Sequence, residues 1–162
     1  MRRRIVREKV VQALYAHEIS GDPPEHVIQC ILSSLEGNKP AYEFARRLVL
    51  HTISHEAEID KIIRAKVANW DFQRIAVLDR LILRMGICEL IFFKEIPPKV
   101  SMNEAIELAK LFSTERSGQF INGVLDAVLN EMKASGGLAK AGRGLYDGFS
   151  SRKTKETSAK NP

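Results

Sequence analysis

Residues 74–93 constrain the fold more than any other stretch. Wound as a helix, the run from Ile75 to Phe93 shows apolar side chains on nearly every face. Such a helix is stable only inside a jacket of other helices, so it is expected to be the central element of the molecule. Asp79, Arg80, Arg84 and Glu89 interrupt it, and no stretch reaches the ~18 uncharged residues of a membrane span. Ile96-Pro97-Pro98 stops it firmly, because proline lacks the amide that helix propagation needs.

The flanking segments supply that jacket. In residues 2–19, Val6, Val10, Ala13, Leu14 and His17 recur at helical spacing. Ser20-Gly21-Asp22-Pro23-Pro24 ends that helix, and Asp22 is expected to cap the next one, with Pro23 at its first position. Val27, Ile28, Ile31, Leu32 and Leu35 form its stripe, and Gly37-Asn38-Lys39-Pro40 closes it. A third helix runs from Tyr42 with Phe44, Ala45, Leu48 and Val49, and continues to Ile59, Ile62 and Ile63 through a possible bend at 55–58. Asn69-Trp70-Asp71 reads as a turn. Ser101 and Glu104 read as a reciprocal capping box. Residues 113–119 read as a polar loop before a last helix carrying Phe120, Ile121, Val124, Leu125, Val128 and Leu129. No alternating strand pattern and no internal repeat occurs. The expected class is all-α, with six or seven helices in a unit spanning 1–133. Residues 134–162 hold half of the ten glycines and few apolar anchors, which predicts a disordered basic tail. The thiols of Cys30 and Cys88 both fall in apolar-periodic segments and read as buried and unpaired.

Charge is unevenly placed. The net charge of +5 arises from +4 in residues 1–9 and +4 in residues 134–162, against −3 for the body between them. Two basic ends on a mildly acidic body favour a local polyanion contact. The basic N-terminus lacks an apolar signal core, since Glu8, Lys9, Gln12, His17 and Glu18 break it, so a cytoplasmic location is expected.

Catalysis finds little support. The glycine-containing tail has no Lys-Ser/Thr pair to complete a phosphate loop. His51 and His55 are one helical turn apart, but the motif is His-Thr-Ile-Ser-His, without the glutamate of a zinc hydrolase, so two ordinary helix histidines are the better reading. No enzyme, metal or cofactor is expected, and Glu89 in the central helix reads as a satisfied structural group. Arg2, Arg3, Arg4 and Arg7 are more informative. A helix N-terminus favours anions, and each cation there costs about 0.3–1 kcal/mol when exposed. An external polyanion removes that cost. Arg3 and Arg7 lie one turn apart with Arg4 beside them, so one face can meet successive phosphates; a solvated, frayed terminus is the plain alternative. Lys110, Phe112, Arg116 and Phe120 bracket the polar loop, where aromatics and cations can stack single-stranded bases. Core packing of both phenylalanines competes with that reading. Asn122-Gly123 inside the last helix suggests a close helix approach or a polar contact by Asn122.

Arg7-Glu8-Lys9-Val10-Val11-Gln12-Ala13-Leu14-Tyr15, Asp79-Arg80-Leu81-Ile82-Leu83-Arg84, Pro97-Pro98-Lys99-Val100-Ser101-Met102-Asn103-Glu104-Ala105-Ile106-Glu107-Leu108-Ala109-Lys110 and Phe120-Ile121-Asn122-Gly123-Val124-Leu125-Asp126 follow one another in one register. Together they resemble the NusB family of bacterial transcription antitermination factors across residues 2–133. The resemblance implies two packed helical sub-bundles, three N-terminal helices and three to four C-terminal ones. It also implies binding of boxA-type single-stranded RNA together with the ribosomal protein NusE, in a complex on RNA polymerase that serves ribosomal RNA operons. It matches Arg2, Arg3, Arg4 and Arg7 to the family's main RNA contact, sets the 113–119 loop near the RNA, and puts Tyr15 and Asp79 at NusE contact positions. With the residues read above, the expected RNA set is Arg2, Arg3, Arg4, Arg7, Gln12, Lys110, Phe112, Arg116, Phe120 and Asn122, and the expected NusE set is Tyr15, Asp79 and Arg84. Asp79 stands where the family's glutamate is expected, one methylene shorter. Arg116 stands where the family usually carries an acid, which implies stronger, more salt-sensitive RNA binding, offset in part by Gly118 and Gln119 where the family has basic or histidine residues. Some relatives form homodimers. Two rivals remain: the helical module that precedes some ribosomal RNA cytosine methyltransferases, which chain length after 133 disfavours, and a module that binds protein alone.

Overall fold

The computed structural model describes residues 3–68 and 71–135. Arg2, the Asn69-Trp70 part of the expected turn and the tail beyond Ser135 lie outside the described residues. Seven α-helices and no strand occur among those described: α1 (Arg3–Ser20), α2 (Pro24–Ile31), α3 (Lys39–Ser54), α4 (Glu56–Lys66), α5 (Val77–Phe92), α6 (Pro98–Phe112) and α7 (Glu115–Ala134), with short 3-10 turns at Leu32–Leu35 and Phe72–Arg74. None of these helices is long and apolar enough to cross a membrane.

The central helix is where the apolar run demanded it. Every residue of α5 from Leu81 to Ile91 is buried. Gly86 shows how closely its neighbours approach: a Cβ there would lie 3.3 Å from Leu125 Cδ1 on α7 and 3.5 Å from Ala105 Cβ on α6. Helices α4 to α7 form the C-terminal sub-bundle. Helices α1 to α3 form the N-terminal one, and α1 and α3 both pack on α5, so the two share one core.

Several local expectations are corrected. Gly21 ends α1 in the left-handed region at φ +72°, its amide donating to the His17 carbonyl at 2.9 Å. Asp22 does not cap α2: Pro23 occupies the cap position and Pro24 the first turn, one residue later than expected. Helix α3 starts at Lys39 because Asn38 Oδ1 accepts the Ala41 amide at 3.2 Å. The possible bend is a full break at His55.

The capping box does not form. Pro98 begins α6 three residues before Ser101, and tertiary partners claim both side chains: Ser101 Oγ donates to Glu89 at 3.0 Å, while Glu104 holds Arg4. The loop of 113–119 shrinks to Ser113 and Thr114. Thr114 Oγ1 accepts the Ser117 amide at 3.1 Å and so caps α7; Gly118 lies within that helix, where the Lys110 stem, 3.1 Å from the place of a Cβ, leaves little room for a side chain. Gly123, by contrast, faces open space and marks no close approach. Cys88 is buried, which pushes its thiol up to about 12, but Cys30 is exposed.

Candidate nucleic-acid interface

The described N-terminal arginines meet three different fates. Arg3 is exposed, with its guanidinium 4.0 Å over the Phe44 ring. Arg4 is exposed and makes a two-pronged contact with Glu104 on α6, at 2.9 and 3.1 Å. An exposed pair of this kind contributes about 0–1 kcal/mol, so it opens cheaply when a phosphate competes for the guanidinium. Arg7 departs from the expectation. It is 1% exposed, bonded to Glu89 at 2.9 and 2.5 Å, and it cannot meet an external strand. One turn after Arg3, Arg7 falls on the buried stripe of α1 with Val6, Val10 and Val11, so the face that Arg3 opens does not continue through it. Gln12 is exposed further along the same helix.

The α6–α7 junction lies on the same side of the molecule. Glu104 takes Arg4, Glu107 also acts on Arg4 electrostatically and contacts Lys110 at 3.5 Å, and the Lys110 stem rests on Gly118 of α7. A band of alternating charge thus links the start of α1 to the start of α7. Arg116 is exposed there and makes no ion pair or hydrogen bond among the described residues. Phe112 and Phe120 are half-buried, packed against the core with part of each ring at the surface. Asn122 is exposed.

Of the residues the resemblance assigned to a protein partner, only Tyr15 is presented as expected. It is 43% exposed on α1, one turn from Ile19 at 62%. Arg84 is buried and encircled by Asp60, Glu56 and Glu18, and Asp79 is buried against the start of α7. Both side chains are held by the protein's own groups, Arg84 by three carboxylates and Asp79 by Ser117.

Asp79 Oδ2 accepts the Ser117 hydroxyl at 3.1 Å, while Oδ1 is buried with no hydrogen-bond partner. Burial pushes this carboxyl above the usual aspartate range, and the serine hydroxyl pulls it part of the way back. The folded state therefore holds the proton more tightly than the unfolded chain. The contribution to stability is complete below the ordinary pKa of about 3.9 and is lost as pH rises through the raised value. Asp79→Asn keeps an acceptor for Ser117 and removes the charge. Its urea midpoint should exceed the parent's at neutral pH, and the gap should close in strong acid; a lower midpoint at neutral pH refutes this.

Sequence reasoning missed a second set of side chains. By sequence, Arg46 and Arg47 have no role and Phe44 is one of the apolar positions of the third helix. In the structure they line an open groove with Arg3, His51 and Glu95. An Arg-Arg pair two residues after an aromatic is the signal that was available. His51 and His55 stack nearly parallel at 5.6 Å, and no group of three metal-ligating side chains occurs among the described residues.

The sequence model of the NusB family matches residues 4–130. A transcription antitermination protein NusB of Salinibacter ruber (strain DSM 13855 / M31) is 44% identical over 144 residues, covering 88% of this chain and 90% of that protein. Among solved structures, T. maritima NusB is 38% identical with a TM-score of 0.75, covering 81% of this chain and 92% of that one. A chain in a crystal structure of antitermination factors NusB and NusE in complex with dsRNA is 32% identical with a TM-score of 0.72, covering 80% and 96%.

Proposed function

Because the chain belongs to the NusB family, we propose that it is a non-enzymatic antitermination factor that binds boxA-type RNA together with NusE. The observation that carries this reading is the first turn of α1. Arg3 and Arg4 stay exposed at a helix N-terminus, one resting on a ring and the other in a pair that opens cheaply. The charge band along α6 extends that face to Lys110 and Arg116. Phosphate contacts of this kind fix position and supply affinity; base discrimination has to come from elsewhere, with the partly exposed Phe112 and Phe120 as the candidates. NusE docks beside this face, over Tyr15 and Ile19. Loading onto RNA polymerase, work in the cytoplasm and service to ribosomal RNA operons follow from the same reading. A homodimer over the arginine face would compete with RNA.

Titration of a short boxA-type RNA at several salt concentrations tests it. The double substitution Arg3→Ala, Arg4→Ala should weaken binding about tenfold and flatten the log–log salt slope by roughly one, since about two phosphate contacts are lost from a single strand. Arg116→Asp should also weaken binding and flatten the slope; an unchanged affinity and slope would remove Arg116 from the interface. A flat titration for the unsubstituted protein, with or without NusE, overturns the RNA reading and favours a module that binds protein alone.

A further inference from the structure

The groove beside α3 has no place in the reading so far. Its volume is about 530 Å³. Phe44 lines it, and the buried Phe93 meets Phe44 edge to face at 5.7 Å. Each ring carries a guanidinium: Arg3 lies 4.0 Å over Phe44, and Arg47 lies 3.9 Å over Phe93. A guanidinium settled on a ring is held as a flat cationic plate, and both plates keep a side toward solvent, Arg3 being exposed and Arg47 about two-fifths exposed at 43%.

The charges in the groove are nearly balanced. Glu95 takes Arg47 at 2.5 Å, Glu25 takes Arg46 at 2.9 Å, and Glu43 stands exposed at the rim. A bare phosphate gains little from such a lining. A nucleobase fits it better, because it offers a flat face to stack and an edge with both donors and acceptors. His51 supplies the matching group. It lines the groove; its Nδ1 is sealed from solvent without a hydrogen-bond partner, which leaves Nε2 as the nitrogen for an external contact. Burial, with His55 and Arg47 beside it, pushes the imidazole below its ordinary pKa, so at neutral pH the ring is uncharged and Nε2 donates or accepts according to the tautomer.

Arg3 belongs both to this groove and to the first turn of α1. A strand crossing the α1 terminus therefore reaches the groove without a gap. We propose that the groove is a second RNA subsite, taking one unpaired nucleotide of that strand with its base stacked on the Arg47 guanidinium and its edge hydrogen-bonded by His51. The proposal rests on the RNA reading above.

The test compares a short boxA-type RNA with the same RNA extended at either end by a few unpaired nucleotides, using the full chain. One of the two extensions should tighten binding about tenfold, the scale of a single base stack. The ratio of the two affinities should fall to near one in Arg47→Met and in His51→Ala, with melting temperatures showing that each variant is folded. Photoreactive 4-thiouridine placed in the extension should crosslink to residues of α3 in the unsubstituted protein, which needs no variant at all. If the short RNA binds but neither extension adds affinity, or if the ratio survives both substitutions, the subsite is wrong and the RNA reading stands. If crosslinks fall only on α6 and α7, the strand runs the other way and the proposal fails. A loss of NusE affinity in Arg47→Met with an unchanged RNA ratio assigns the groove to protein and also overturns it. If the short RNA does not bind, both readings fall together.

Discussion

Arg7→Ala should destabilise the protein by about 3–5 kcal/mol, far more than the loss of an exposed arginine at a helix end. Arg7 and Glu89 are each 1% exposed, and their contact joins α1 to α5 across 82 residues of sequence. Both guanidinium contacts are short, and Ser101 on α6 donates a third hydrogen bond to the same carboxylate. Truncating Arg7 leaves Glu89 in the core with the Ser101 hydroxyl and without its counter-charge. Urea unfolding of Arg7→Ala and Glu89→Ala measures the two singles. The double variant Arg7→Met, Glu89→Leu should be more stable than either, because it removes both charges and refills the space with apolar atoms. That double variant also separates two roles for Arg7. If Arg7 only positions the start of α1, the folded double variant should bind boxA-type RNA within about twofold of the parent at equal salt, since no phosphate contact is lost. A tenfold loss with native stability would return Arg7 to the RNA face, against its burial.

The contrast between Arg7 and its neighbours shows what the sequence can disclose. Four arginines at a helix start report a charge pattern and no orientation. Which of them faces outward depends on the angle of α1 against α5, and that angle is set by contacts 80 and more residues away. The apolar run of α5 was legible because burial on all sides leaves a direct imprint on composition. The stripes of α1, α2 and α7 were legible because one-sided burial leaves a period. Ser101 and Glu104 matched a capping motif, but local hydrogen bonds are weak, and Glu89 and Arg4 offered charged partners. Thr114 is hidden as a cap because Gly118 four residues on reads as a loop residue, and only the fold lays the Lys110 stem against it. The groove was hidden for a related reason: Arg47 on a ring and Arg47 in water have the same sequence.

Arg84 carries the other large prediction, and it decides how the partner face is built. Its guanidinium bonds Asp60 at 2.7 and 2.9 Å, approaches Glu56 at 3.3 Å and Glu18 at 3.4 Å, and is 5% exposed. Burial works against its charge, yet the Asp60 hydrogen bonds, with Glu56 and Glu18 near, hold its pKa above the ordinary value. One cation on α5 therefore ties down α4 and the end of α1. Arg84→Ala should cost about 3–5 kcal/mol, because Asp60 is itself nearly buried and is left without a partner, while Glu18 and Glu56 can turn to water. Arg84→Lys should recover only part of this, since an ammonium cannot span both oxygens of Asp60 while reaching two further carboxylates. Hydrogen exchange gives the sharper reading. In Arg84→Lys, amides of α4 should lose protection before those of α6, since Arg84 bonds α4 directly, while its ion pairs do not reach α6, which packs more extensively, against α5 and α7. A direct NusE contact predicts the reverse: stability and exchange unchanged, NusE affinity lost. With the guanidinium enclosed by the protein's own carboxylates, an effect of Arg84 on NusE affinity is expected to pass through the helices it ties down, α4 by Asp60 and Glu56 and the end of α1 by Glu18, one turn beyond the exposed Tyr15.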